Sequence, residues 1–256
     1  MLLVLDVGDT NATCGIFRDP DKPDHVWRLA AQPSRSADEY GLVIRQYLSF
    51  CQSDRTALRA VAIASGVPAV TDAWTRPIRL YLDHEPTVVA VANQSLRAIR
   101  YPPSGDLGID RIVTPGAARR RFVSPPTVIN IGTATAVDTV AAGGVLLGGT
   151  PSPGDGAFTD RLTGQTARWL HDDLSHPDRA SGFSTQAGRR SGWLLGYLPL
   201  LKGFSQRVCA ELDPDAQTVA TGGVLTVFRT DLDWLAAVAD KLTLGGIYYA
   251  NRKSHE

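Results

Sequence analysis

Twice in 256 residues the chain repeats one short pattern. An apolar run ends in a polar residue, turns through glycine and threonine, and returns as a second strand. The first instance is Leu2-Leu3-Val4-Leu5-Asp6-Val7-Gly8-Asp9-Thr10-Asn11-Ala12-Thr13, continuing through Cys14 to Phe17. The second is Val128-Ile129-Asn130-Ile131-Gly132-Thr133-Ala134-Thr135-Ala136-Val137-Asp138. A third strand follows each: His25 to Ala30 in the first half, and Val145 to Gly149, after a Gly143-Gly144 turn, in the second. Two meanders of the same kind imply an internal duplication. Leu2 to Leu5 is apolar on both faces, which predicts a central strand covered on both sides.

The first turn has a chemistry of its own. Asp6 closes the strand, Gly8 brings no Cβ, and Asp9, Thr10 and Asn11 supply donors and acceptors. Backbone N–H groups and hydroxyls in such a turn can cradle phosphate oxygens. A carboxylate at the strand end can hold Mg²⁺ directly or through water, because Mg²⁺ takes few protein ligands. Taken alone, the same residues make an ordinary type I′ hairpin equally well.

Between the meanders the pattern is parallel α/β. Ser36 and Glu39 form a capping-box signature, and a helix is expected from Ala37 to Cys51. Ala60 to Ala64 is a strand, Val67-Pro68 leads into a helix through Leu82, and Thr87 to Val91 is another buried strand. Tyr101 to Gly108 is a loop; the helix after it runs to Arg121, with Pro115 near its first turn. In the second half, Gly148 to Gly154 reads as a loop of small residues. Helices are expected over Gly156 to Trp169, Thr185 to Lys202 and Thr243 to Asn251. Thr218 to Gly223 is a strand running into a Gly-Gly turn. No linker divides the chain. Two lobes, residues 1–120 and 121–256, are expected with a cleft between them.

Composition excludes several functions. The formal net charge is +0, so no general attraction to nucleic acid or anionic membrane is expected. Cys14, Cys51 and Cys209 are widely spaced with no CxxC pair, which supports neither a disulfide framework nor zinc. The apolar start is broken at Asp6, too early for a signal segment, and no run approaches a membrane span. A cytoplasmic protein is expected.

Three glycine turns follow buried strands, at Gly8, Gly132 and Gly222-Gly223. Neither GxxxxGK[ST] nor GxGxxG occurs, so the P-loop and Rossmann designs are excluded at the level of motifs. The three-turn pattern resembles the acetate and sugar kinase, Hsc70 and actin superfamily. Its fold class is α/β, with duplicated ribonuclease-H-like (actin-like ATPase) lobes. The order DxGxTN, Trp27-Arg28 with Asp38-Glu39-Tyr40, GxDR at Gly108 to Arg111, GTAT with Asp138, Thr185, Ser191-Gly192 and TGG narrows it. It is similar to type III pantothenate kinase over nearly the whole chain.

That resemblance implies ATP-dependent phosphorylation of pantothenate, the first step of coenzyme A synthesis. Asp6, Val7, Gly8, Asp9, Thr10, Asn11, Ala12 and Thr13 would form the ATP phosphate loop, with Thr133 a second ATP contact. Gly222 and Gly223 would hold the adenosine end. Tyr101, Gly108, Ile109, Asp110, Arg111 and Thr185 would bind pantothenate, with Asp110 as general base. The resemblance further implies Mg²⁺ at Asp6, a monovalent cation (K⁺ or NH₄⁺), and a homodimer that completes the pantothenate site. Apart from it, Asp110 reads equally as a helix N-cap.

Two positions depart from the family. Asp9 stands where Asn is usual, and Asn130 where an Asp holds the monovalent cation. One carboxylate is gained and one lost, so the changes are expected to compensate. Asp9→Asn alone should then alter K⁺ activation. Ser152-Pro153-Gly154 also replaces the usual Ala-Pro-Gly loop. These departures keep two alternatives in view: a catalytically impaired relative acting as a nucleotide-binding or regulatory accessory protein, and an ATP or polyphosphate hydrolase on the same scaffold.

Overall fold

The computed structural model describes residues 1–8, 10–19, 22–32, 35–51, 57–66, 68–90, 98–100, 107–154, 177, 179–223, 225, 228 and 231–253. Asp9, Tyr101 and the helix expected over Gly156 to Trp169 lie outside them. The chain divides into two compact units. Unit one is Met1–Arg97, Pro102–Ala117 and Lys241–Glu256; unit two is Ala98–Tyr101 and Ala118–Asp240.

Unit one is built on a five-stranded sheet ordered β3-β2-β1-β4-β5. Its strands are β1 (Leu2–Val7), β2 (Asn11–Phe17), β3 (His25–Ala30), β4 (Ala60–Ser65) and β5 (Thr87–Val88). The first three form the expected antiparallel meander, and β4 and β5 add in parallel. Strand β5 is shorter than expected, although the Val89 N–H still donates to the Ile63 carbonyl at 2.8 Å. Helices α1 (Ala37–Phe50) and α2 (Pro68–Leu82) cover one face. Leu3, Leu5 and Val7 of β1 join Tyr40, Ile44 and Trp74 in that core. The capping box forms: the Ser36 N–H donates to Glu39 Oε2 at 2.7 Å, and the Glu39 N–H to Ser36 Oγ at 3.3 Å. The Tyr40 hydroxyl donates to the carbonyls of Ala30 and Gln32, which fixes the β3–α1 connection.

Alternation along β1 sends Leu2, Val4 and Asp6 to the other face. The chain's last helix, Leu242–Lys253, packs there. Its Leu244 lies 3.0 Å from where a Cβ at Gly15 would stand, and its Tyr248 ring is 5.2 Å from Phe17. It also crosses the helix Asp110–Arg121, which we call α3. At the crossing the Thr114 hydroxyl donates to the Thr243 hydroxyl at 2.9 Å. A Cβ on Gly246 would be driven into the Val113 carbonyl, its carbon only 2.5 Å away. Gly246→Ala should therefore push the helices apart and cost about 2–3 kcal/mol. Gly245→Ala, where a Cβ meets nothing within 4 Å, should be neutral or stabilising by about 0.5–1 kcal/mol. Urea denaturation of the pair checks this; equal midpoints would refute the crossing constraint.

Unit two repeats the topology with one strand added: β11-β10-β7-β8-β9-β6. Strands β7 (Pro126–Ile131), β8 (Ala134–Val140) and β9 (Val145–Pro153) form the second meander. Strands β10 (Gln217–Gly222) and β11 (Ala237–Val238) continue in parallel from β7, as β4 and β5 do from β1. Strand β6 (Ala98–Ile99) pairs with the start of β9. Helix α4 (Thr185–Leu212) covers a core of Ile129, Ile131, Val137, Trp193, Tyr197 and Phe228.

Two expectations are corrected here. Gly148 to Pro153 is strand rather than loop. Beyond Leu146 β9 has no outer neighbour among the described residues, so Pro151 and Pro153 can occupy a sheet edge where missing N–H groups cost little. Helix α4 also runs through Gly203 to Leu212 instead of stopping at Lys202. Burial of Ser205 and a 3.2 Å contact from Cys209 Sγ to Thr127 Oγ1 outweigh the glycine signal. The last helix, Leu242–Lys253, is α5 in chain order.

Candidate functional site

In unit one the register sets the site. Asp6 of β1 is directly opposite Thr13 of β2, and Thr13 is opposite Arg28 of β3. Directly paired residues share a sheet face, so these three form one row across the meander. Their neighbours Val7, Ala12, Trp27 and Leu29 are buried on the other face. Val7 and Ala12 therefore offer only backbone to a ligand. In the turn, the Gly8 N–H donates to the Asn11 carbonyl at 3.0 Å, and the Ala31 N–H to the Thr10 carbonyl at 2.9 Å. Gly8 and Thr10 are exposed, and Asn11 and Thr13 are half-buried. A Cβ at Gly8 would be 3.5 Å from the Asn11 carbonyl, an ordinary contact. The turn does not itself demand glycine there.

Helix α3 brings a second carboxylate to this row. It starts at Asp110, so Asp110 occupies the first helical position rather than the N-cap. The Arg111 N–H donates to Gly108 O at 3.1 Å, and the Val113 N–H to Ile109 O at 2.9 Å. The Asp110 carboxylate folds back over Gly108, with Oδ1 2.5 Å from where a Cβ there would stand. Gly108 keeps that space clear. Ile109 is buried, whereas Asp110 and Arg111 are half-buried. Pro115 lies in the second turn, not the first. Burial, then the negative charge of Asp110, push the Asp6 carboxyl up to about 7, and the Arg28 guanidinium offsets part of the shift. Two acids far apart in sequence are thus coupled, and the Asp110 charge disfavours ionisation of Asp6.

In unit two Asn130 takes the place of Asp6, fifth in a six-residue strand. It is opposite Ala136 on β8 and Thr221 on β10. The Gly132 N–H donates to Ala134 O at 3.1 Å, and the Gly154 N–H to Thr133 O at 3.2 Å. Thr133 is exposed at the tip of this turn. Thr135 is not a companion to it: fully buried, its hydroxyl is bonded to that of Tyr197 in the α4 core. The sheet alternation that exposes one threonine of the Gly-Thr-Ala-Thr sequence buries the other. Thr185 is exposed at the first position of α4, beside its Ser184 N-cap. Sequence reasoning gave no role to Asp138. It is 3% exposed on the same sheet face as Asn130, beside Gly149, where any Cβ would strike it.

Gly222 has φ +134°, and a Cβ on it would run into the Ile131 carbonyl. Its identity is explained by strand packing, whereas Gly223 beyond it is exposed. Gly222→Ala should cost about 2–3 kcal/mol of stability, read from the thermal midpoint. Gly223→Ala should leave that midpoint in place and weaken nucleotide binding. Unchanged nucleotide affinity in Gly223→Ala would reduce this turn to a connector.

A family model described as Type III pantothenate kinase matches residues 2–207. The Type III pantothenate kinase of Moorella thermoacetica is 34% identical over 247 residues, covering 96% of this chain and 97% of the relative. That of Thermomicrobium roseum is 33% identical over 258 residues, covering 100% and 98%. Among solved structures, component A of (R)-2-hydroxyglutaryl-CoA dehydratase from Acidaminococcus fermentans superimposes with TM-score 0.57. It is 15% identical and covers 100% of this chain and 99% of its own, a likeness of fold alone. With the repeated sheet order, it establishes the duplicated ribonuclease-H-like architecture.

Proposed function

The chain belongs to the type III pantothenate kinase family, and on that premise we propose how its residues transfer the γ-phosphoryl group of ATP to the primary alcohol of pantothenate. The observation that carries this reading is that the Asp110 charge, at the start of α3, reaches the buried Asp6 carboxyl of the phosphate-type turn and helps to raise its pKa. Phosphoryl transfer to an alcohol needs positioning, charge neutralisation and a proton acceptor. Asp110, at the start of α3, is the acceptor: its carboxylate takes the hydroxyl proton as the oxygen forms its bond to the γ-phosphorus and the bond from that phosphorus to the β,γ-bridging oxygen breaks, releasing ADP. Arg111 and the backbone of Gly108 and Ile109 orient pantothenate, with Tyr101 and Thr185 completing its site. The turn from Asp6 to Thr13 binds the β- and γ-phosphates, and the family resemblance adds Thr133 and Gly222-Gly223 as ATP contacts.

The donor set fits Mg²⁺. Among the described residues no three His, Cys, Asp or Glu gather to chelate an ion unaided. That suits a cation shared with phosphate oxygens and one carboxylate. Asp6 would hold it, and its charge would offset the burial and the Asp110 charge that raise the Asp6 carboxyl. Bound there, Mg²⁺ neutralises phosphate charge. Asn130 would offer a carbonyl oxygen to K⁺ or NH₄⁺. We place the enzyme in the cytoplasm as a homodimer; no helix among the described residues is long and apolar enough to cross a membrane.

A coupled assay with ATP, pantothenate, Mg²⁺ and K⁺ tests the function. Pantothenate-dependent ADP release is expected. Release independent of pantothenate would indicate a hydrolase, and ATP binding without release an accessory protein.

A further inference from the structure

We propose that Arg28 is a phosphate-binding residue of the transfer site, its guanidinium holding the anionic end of the bound nucleotide across the row from Asp6. This rests on the kinase reading above. Trp27 and Leu29 are buried in the α1–α2 core, so alternation commits Arg28 to the face that carries Asp6 and Thr13. Two inter-strand spacings, about 10 Å, separate the backbones of Asp6 and Arg28, with Thr13 between them.

Arg28 is exposed, and among the described residues it makes neither an ion pair nor a hydrogen bond. Two other exposed arginines of this unit are held in ion pairs; what sets Arg28 apart is its place in the row of Asp6 and Thr13. Arg79 grips Glu85 through two bonds of 2.6 and 2.7 Å, and Arg18 lies 3.7 Å from Asp24. Arg28 does not pair with the Asp6 carboxylate in its row, yet its charge reaches it. A free cation in the row of the phosphate turn is suited to an anion that is not part of the chain. The planar guanidinium fork fits phosphate oxygens with two parallel bonds.

The anion is phosphate rather than the carboxylate of pantothenate. That carboxylate is at the opposite end of the substrate from the hydroxyl that reacts. Arg28 shares its row with Asp6, which faces the base Asp110. It therefore addresses the reacting end. There a fixed positive charge stabilises the oxygens of the transferring group.

The test compares Arg28→Gln and Arg28→Lys with the parent enzyme. Steady-state kinetics for both substrates are measured, together with the affinities of ADP and a non-hydrolysable ATP analogue. Arg28→Gln should lower kcat/KM for ATP by about 10²–10³-fold. It should remove the preference for the triphosphate analogue over ADP and leave the KM for pantothenate within about threefold. Arg28→Lys should recover part of both losses, since it keeps the charge without the fork. A raised KM for pantothenate with kcat unchanged would overturn the proposal in favour of the substrate carboxylate. A lowered thermal midpoint with all parameters falling together would overturn it in favour of a structural role, and parent-like variants would overturn it outright. The parent's own turnover tests the kinase reading separately, and the ADP-against-analogue comparison needs no turnover.

Discussion

Asp110→Asn should lower kcat by about 10²–10⁴-fold while leaving the KM for ATP nearly unchanged. The amide keeps the size and the helix-start position of Asp110 but cannot accept the hydroxyl proton. Helix α3 should hold its place, because its anchors are elsewhere: the Thr114–Thr243 hydrogen bond and the close approach of Gly246 to Val113. If Asp110 were only a structural feature of the helix start, the substitution would shift the thermal midpoint and spare turnover. The variant carries a second, independent signature. Asp110 is the main charge raising the Asp6 carboxyl, so its removal should bring that pKa down toward the ordinary carboxylate range. Carbon-13 NMR of the labelled aspartates would read the change. An unmoved Asp6 titration would mean that the two acids are not coupled.

How much of this was legible beforehand depended on sequence distance. The meanders were readable because each strand alternates or runs apolar within a few residues of its turn, and both turns carry the same Gly-Thr chemistry. That a helix follows the loop ending at Gly108 was readable, although Asp110 is its first residue and not the N-cap. Long-range constraints were not. Nothing local to Gly246 says that another helix's carbonyl will press against it, and nothing local to Gly222 says that Ile131 will. The burial of Thr135 against Tyr197 depends on α4, whose covering face could not be chosen from Thr185 to Lys202 alone. Arg28 was visible as part of a Trp-Arg pair, but its row with Thr13 and Asp6 exists only once the β2–β3 register is fixed. Asp138 likewise gained meaning only from its burial opposite Gly149.

Asp6→Asn should abolish turnover and stabilise the ligand-free fold, an inverse coupling that only a functional carboxylate explains. In the native chain Asp6 titrates at about 7 instead of 3.8, because burial and Asp110 oppose its charge. Between those two values the native state holds the proton more tightly than the unfolded chain does. Raising pH through that window therefore withdraws stability, and above about pH 7 the loss is complete. At 1.36 kcal/mol per unit, a shift of this size corresponds to roughly 4 kcal/mol, and solvent near the partly exposed carboxyl reduces it to about 2–4 kcal/mol. Asp6→Asn should be no more stable than the parent near pH 4, where both side chains are neutral. It should pull ahead as pH rises and stay ahead above pH 7. Saturating ATP and Mg²⁺ should close or reverse the gap, because ligand binding stabilises only the form that can bind. Chemical denaturation of both proteins from pH 4 to pH 8, with and without the nucleotide, would read the whole pattern. A gap that is constant across pH would show that Asp6 is not held against its own charge, and the argument for its role at the phosphates would lose its physical basis.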